Sequence, residues 1–396
     1  MIQRAQDAPR RGLEPPHATG AGLALFAAAV AARAGVAWLA GSSAPVDPRV
    51  PMAAAHLLAG HGLSLGPLAA PTPTAALAPL SPWLLSQALG GSHSHPLTLA
   101  AGAILAGALA APAASWLTAG LFGPTAGRVV GWSVALSPFL LAGALAFDAN
   151  VFALAVVLAL AAGAAWLRTP RRGRAFGAGL LCGLAALASA PGLLLAPLLL
   201  AWSWRPLGLT VPPRERFNQA ALVLLGLCVV VAPWTIRNSV VLHRWAPVTA
   251  AEANDYPMRR RAATSATRWR EVWTLSPGDA NPATLATPSA SPRSGPDIPR
   301  HPLFTFLAVA EIAWLGLAAW GAVRTLSGPR RWYQSLPLLG VLALMLAALT
   351  APDASRARLG FEPLVAQLAA LGAVHARRAV YLWQRGLRLV RGGPSR

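Results

Sequence analysis

Acidic residues are scarce in this 396-residue chain, 13 against 33 basic ones, so each carboxylate beside an apolar run is a candidate for chemistry. Asp47 opens a polar segment after the first apolar run. Asp148 sits in ALAFDANVFAL, where two further runs meet. Both fall at one aqueous-lipid boundary, where a carboxylate can accept a proton. Asp148 also suits the N-cap of the run that follows it. Glu311, in FLAVAEIAWLGLAAW, lies deeper; an acid at mid-span costs about 2.5–3.5 kcal/mol on insertion scales. Arg33 in the first run is its candidate counter-ion, as a buried structural pair or as part of a substrate groove. His56 and His61 flank LLAG, and His93 and His95 form HSH. Neither spacing assembles a specific metal site unaided, so no metal ligands are assigned.

The basic candidates cluster in VVAPWTIRNSVVLHRWAPVT, residues 230–249, where an apolar run ends in Pro233 and Trp234 and turns polar at Arg237, Asn238, His243 and Arg244. Arg259 to Arg261 follow, and Arg356 and Arg358 precede LGFEPLVAQLAALGA. Guanidinium groups grip phosphate oxygens with paired hydrogen bonds, so these arginines fit an anionic phosphate. Ordinary headgroup contact is the plainer alternative.

The elements that must position these residues are membrane helices. At 55% hydrophobic and 12% charged residues, with mean hydropathy +0.50, the chain is too apolar for an ordinary water-soluble domain. The formal charge of +20 comes entirely from arginine and follows from topology and anionic lipid, with no nucleic-acid partner. Cys182 and Cys228 lie in apolar stretches and read as small buried hydrophobes. A ruler of about 20 apolar residues per span predicts an all-α polytopic protein. It has about ten spans: 20–40, 97–119, 127–146, 149–167, 175–189, 191–204, 219–236, 303–324, 335–351 and 361–375. The fifth and sixth are short, split by Ser189-Ala190-Pro191, and form either two spans or one re-entrant unit. The first reads as an uncleaved helix after a cytoplasmic segment, 1–19.

Arginine bias places both termini in the cytoplasm of a plasma-membrane protein. Trp166, Trp202, Trp204, Trp332 and Trp383, beside arginines at span ends, read as interfacial anchors. The N-terminal module, 20–236, carries an outer first loop, 41–96, with two short surface helices. A second outer segment, 237–302, is rich in Pro, Ser, Thr and Ala and is expected to be partly flexible. The C-terminal helices, 303–375, lead to a basic amphipathic cytoplasmic tail, 376–396.

APWTIRNSVVLHRWAPVT resembles a segment of bacterial GT-C membrane glycosyltransferases, the superfamily of protein O-mannosyltransferases and aminoarabinose transferases. In these, an outer loop opens with Pro-Trp-Thr-x-Arg-Asn. AHLLAGHGLSL, LSPFLLAGALAFDANVFALAVVLAL, GLLCGLAALASAPGLLLAPLLL and SRARLGFEPLVAQLAALGA resemble, in order, the family's first-loop helix, acid-bearing hairpin, fifth and sixth spans, and final span. There are departures: Pro48, Val50 and Pro51 follow Asp47 where a tyrosine or second acid is usual, and ASAP stands where Thr-Arg-Pro is frequent.

The resemblance implies inverting transfer of a sugar from a polyprenyl-phosphate donor to a lipid, glycan or protein acceptor at the outer face. It assigns Asp47 as base and Asp148 as the group that orients the acceptor or helps hold a divalent ion, a possible cofactor. Arg237, Arg356 and Arg358, with Asn238 orienting, become the lipid-phosphate ligands, and apolar walls between spans take the isoprenoid tail. A catalytically inactive GT-C-like protein that binds lipid-linked sugar or scaffolds envelope assembly is the alternative. A transporter or flippase is a third reading, which Arg33 and Glu311 alone support.

Overall fold

The computed structural model describes residues 18–40, 49–75, 77–89, 96–243, 245–249, 302–327, 335–348 and 359–391. Helices dominate. Among the described residues, five helical stretches are long and apolar enough to cross a membrane: Gly20–Leu39, Thr98–Phe122, Pro124–Ala142, Phe147–Arg168 and Pro213–Leu242. The chain is a multi-pass α-helical membrane protein, because apolar helices of this length satisfy every internal backbone group without water.

Helix α1, Ala18–Ala40, leads to the first loop. There, α2, Arg49–Leu58, and α3, Leu80–Leu89, are the two short helices expected. Between them lies a two-stranded antiparallel ribbon, β1, Ser64–Leu65, and β2, Thr72–Pro73, paired Ser64 to Pro73 and Leu65 to Thr72. Two-residue strands are too short to show as alternation in sequence.

Helices α4, Pro96–Phe122, and α5, Pro124–Ala135, form a tight hairpin around Gly123. The expected third span, 127–146, is interrupted. Pro138 lacks an N–H and ends α5 at Ala135, a short α6 covers Pro138–Ala142, and a turn leads into α7, Phe147–Arg168. Helices α8, Arg172–Ala188, and α9, Leu195–Thr210, are separate, joined by a 3-10 turn at Ala190–Leu194. Their joint begins at extended Ser189, just before Pro191.

Helix α10, Pro213–Leu242, runs six residues beyond the end expected at 236 and keeps Pro233 inside it; left-handed His243 ends it. Then follow α11, Pro302–Ser327, α12, Leu336–Ala348, and α13, Glu362–Arg391. The last is one helix where the sequence divides into a final span and a tail. Strong helix formers between Ala373 and Gln384, with no Gly or Pro, let it continue.

The core sits where α7 and the first half of α13 are enclosed. Residues from Leu359 to Leu371 are buried, as are Val156, Val157, Ala159 and Leu160 on α7. α4 packs on α7, α8 on α10 and α11 on α13. Backbone approach there needs glycine: a Cβ on Gly226 would strike Phe176 O, and one on Gly321 would strike Leu368 O.

Two tryptophans expected as interfacial anchors are core residues. Trp166 and Trp202 are buried, and Trp166 donates its indole N–H to Gln219 Oε1 at 2.7 Å. The buried partner explains the placement, since an indole N–H inside a bundle must be satisfied. Trp204 is exposed, with the Arg216 guanidinium 5.6 Å from its ring. Trp332 and the side chain of Trp383 lie outside the described residues. Cys182 is buried as expected, whereas Cys228 is exposed on the apolar surface of α10.

Candidate functional site

The Pro-Trp-Thr-Ile-Arg-Asn stretch occupies the last turns of α10, and its four polar side chains all reach backbone carbonyls of the first loop or of residues 246–248. Trp234 donates its indole N–H to Val248 O at 2.9 Å. The Thr235 hydroxyl lies 3.0 Å from Pro247 O and 3.1 Å from Val231 O, with one proton between them. Asn238, fully buried, donates to Ala246 O at 3.0 Å and Val248 O at 3.2 Å.

Arg237 reaches the other way. Its Nη1 donates to Thr74 O at 2.9 Å and to Asn238 Oδ1 at 3.0 Å, and its Nη2 donates to Leu63 O at 2.7 Å. The guanidinium carbon stands 4.9 Å from the centre of the Trp234 ring. Helical spacing explains the division of labour: Trp234 and Asn238 are four residues apart and share a face. Trp234 also packs against the cluster of Ala53, Leu63 and Leu77 from the first loop. Val248 packs with Ala186 and Val231. The motif is therefore a clamp that fastens two loop segments to the end of one long helix.

Three of Arg237's five N–H groups serve this clamp, which leaves two for any anion. The helical setting is also the reason that Arg237 and Asn238 are not loop residues, as the boundary at 237 had placed them. Arg356, Arg358 and Asp47 lie outside the described residues, as does the side chain of Glu311.

Asp148 is in the first turn of α7, where the helix dipole favours an acid. The expected N-cap role does not hold: Ala146 is the N-cap and no side chain caps the helix. The turn before Asp148 is held by Asn150, which donates Nδ2 hydrogens to Gly143 O at 3.1 Å and Ala144 O at 3.2 Å. Asn150 is fully buried, and its Oδ1 has no hydrogen-bond partner among the described residues. Across Gly107 of α4 stands Arg33, also fully buried, with Nη1 3.4 Å from both Ala29 O and Ala135 O. Ala135 is the last residue of α5, so Arg33 covers the helix end that Pro138 leaves open.

Motif reading does not single out Asn150, Ser137 or Glu362. The Ser137 hydroxyl donates to Glu362 Oε1 at 3.1 Å, tying the break between α5 and α6 to the start of α13. An acid inside LGFEPLVAQ was the available signal for Glu362, by the argument used for Glu311.

Beside the clamp, α10 and the 3-10 turn enclose an open groove of about 240 Å³ lined by Leu193, Leu227, Cys228, Val231, Ala232, Thr235 and Ile236. Among the described residues, no three of His, Cys, Asp and Glu are grouped to hold a metal ion.

No protein-family model matches the chain, and no curated protein does. Solved structures do. The archaeal oligosaccharyltransferase AglB from Archaeoglobus fulgidus, in complex with an inhibitory peptide and a dolichol-phosphate, aligns with 95% of this chain at TM-score 0.59 and 14% identity. ArnT from Cupriavidus metallidurans, bound to undecaprenyl phosphate, aligns with 89% at TM-score 0.58 and 16% identity. The chain has the fold of GT-C membrane glycosyltransferases. An Archaeoglobus fulgidus oligosaccharyltransferase in complex with Zn and sulfate aligns with 93% at TM-score 0.58 and 15% identity. This chain spans about half the length of the oligosaccharyltransferase, 52%, and 60% of ArnT.

Proposed function

We propose that the protein is an integral-membrane glycosyltransferase that moves a sugar from a polyprenyl-phosphate donor to a lipid, glycan or protein acceptor at the outer face, inverting the anomeric centre. The observation that carries this reading is the fold, matched over nearly the whole chain by two transferases whose structures hold polyprenyl phosphates. About ten spans in the plasma membrane, with both termini cytoplasmic, complete the topology.

In this reading Asp47 takes the acceptor proton, worth about 10²–10⁴ in rate. Asp148 orients the acceptor from the α7 hairpin, and the two carboxylates would be the donors to a divalent ion if the reaction uses one. Arg356 and Arg358 stabilise charge on the departing phosphate. Arg237 acts mainly by holding the first loop, with two N–H groups left toward phosphate, and Asn238 orients it through Oδ1. The apolar groove along α10 suits an isoprenoid chain.

The test is transfer in membranes from a mixed polyprenyl-phosphate sugar pool, comparing wild type with Asp47→Asn and Arg356→Ala. Transfer lost in Asp47→Asn at unchanged abundance supports the base; an active Asp47→Asn removes Asp47 from the mechanism. The prolines after Asp47 favour a second reading, a protein that binds lipid-linked sugar without turning it over. Saturable donor binding by wild type with no transfer to a broad acceptor panel would select it.

A further inference from the structure

Helices α8 and α10 start at the same end of the bundle. A Cβ on Gly179 would strike Val223 O and one on Gly183 would meet Leu227 O, the same offset at both positions, so the two helices run parallel. At their first turns Arg172 Nε donates to Glu215 Oε1 at 3.2 Å and Arg172 Nη2 to Glu215 Oε2 at 3.0 Å. Glu215 is the single acid between Asp148 and Glu252. Against it, the end of α7 and the starts of α8 and α10 carry six arginines: Arg168, Arg171, Arg172, Arg174, Arg214 and Arg216.

Four of the six are committed within the fold. Arg172 holds Glu215. Arg168 Nε donates to Ala164 O at 3.3 Å and Arg174 Nη1 to Ala165 O at 3.1 Å, so both cover carbonyls at the C-terminal end of α7. Arg216 stands over the ring of Trp204 at 5.6 Å. Arg171 and Arg214 remain. Each immediately precedes a residue of the Arg172–Glu215 pair and each is exposed. Among the described residues neither has a hydrogen-bond or ion-pair partner. Nor does either serve its own helix, since a cation at a helix start opposes the dipole. Beyond Arg214 the exposed face of α10 turns apolar at once: Phe217, Leu224 and Leu225 follow at helical spacing, with exposed Trp204 of α9 beside Arg216.

We propose that the starts of α8 and α10 form a binding surface for an anionic phospholipid. The guanidinium groups of Arg171 and Arg214 hold its phosphate, whose oxygens suit their paired hydrogen bonds. Its acyl chains lie along Phe217, Leu224 and Leu225. That apolar strip selects a lipid over a free phosphate ion, which needs only the arginines. The surface stands apart from the transfer reaction proposed above. Arg214 and Asn238 lie near opposite ends of α10, about 36 Å apart at 1.5 Å per residue, which exceeds a hydrocarbon core of about 30 Å.

The experiment follows thermal unfolding of the full-length, detergent-solubilised protein titrated separately with dioleoylphosphatidylglycerol, dioleoylphosphatidylcholine and inorganic phosphate. Arg214→Gln, alone and combined with Arg171→Gln, removes the grip. Arg128→Gln, at an exposed position of α5, removes one charge elsewhere, and melts without lipid report whether each variant is folded. The expected result is saturable stabilisation of wild type by phosphatidylglycerol alone. Its apparent affinity should fall about fivefold for each of Arg171 and Arg214 removed, and stay unchanged in Arg128→Gln. An equal response to phosphatidylcholine would overturn the surface, and an equal response to inorganic phosphate would overturn its assignment to a lipid. Undiminished affinity in folded Arg214→Gln, or an equal loss in Arg128→Gln, would reduce it to diffuse charge and overturn it as well.

Discussion

Arg237 and Leu63 are 174 positions apart in sequence and joined by a 2.7 Å hydrogen bond from guanidinium to carbonyl. Leu63 O accepts from the Thr74 N–H as well, so one atom ties the β-ribbon to itself and to α10. Lysine keeps the charge but lacks the fork that spans Leu63 O and Thr74 O together. Arg237→Lys is expected to cost about 1.5–3 kcal/mol, the scale of a hydrogen bond to a charged group. Thermal unfolding in detergent reads the cost, and hydrogen exchange over residues 63–74 should quicken. Unchanged exchange would mean that the ribbon holds without the clamp.

Asn238 serves Ala246 O and Val248 O while fully buried. Asn238→Ala leaves both carbonyls without that donor, an expected loss of about 1–3 kcal/mol. Asn238→Asp should be worse than alanine, since a carboxylate cannot donate and would be buried against carbonyl oxygens. Melting temperatures in the order wild type, alanine, aspartate check this; an aspartate variant as stable as wild type refutes it.

Gly226 and Gly177 lie on the packed pair α10 and α8 but face different surroundings. A methyl on Gly226 meets Phe176 O, while one on Gly177 meets nothing within 4 Å. Gly226→Ala should therefore destabilise by about 1–3 kcal/mol or more through overpacking. Gly177→Ala should leave stability unchanged or raise it by up to about 1 kcal/mol through helix propensity. Differential scanning fluorimetry on the two variants separates packing from propensity.

Gly107 lets Arg33 and Asn150 converge on α4, because a Cβ there would fall 2.8 Å from Arg33 Nε and 2.8 Å from Asn150 Oδ1. Gly107→Ala is expected to lower the melting temperature. Combining it with Arg33→Met, which removes the crowded guanidinium, should recover part of the loss, so that the double-mutant cycle shows coupling of about 0.5–3 kcal/mol. Additive effects would show that the two positions do not compete for this space.

Sequence alone determined the solvent in which the chain folds and the places where its helices lie. Long apolar runs in a chain with few charges admit few backbone solutions in lipid, so α1, α4, α7 and α10 were legible, and so were the two short helices of the first loop. Pro-Trp-Thr-x-Arg-Asn likewise pointed to the GT-C fold.

What that motif does was decided only by tertiary structure. Composition and spacing present Arg237 as a free outer-face cation, but its partners, Leu63 and Thr74, come from a segment that no local pattern couples to α10. The same holds for Trp166, which arginine-flanked spacing put at the interface and Gln219 holds in the core. Periodicity reports which residues avoid water, whereas the hydrogen-bond partner of a buried polar group depends on which distant segment closes over it. That closure also turned two histidines five residues apart into facing nitrogens, because the left-handed glycine between them reverses the chain.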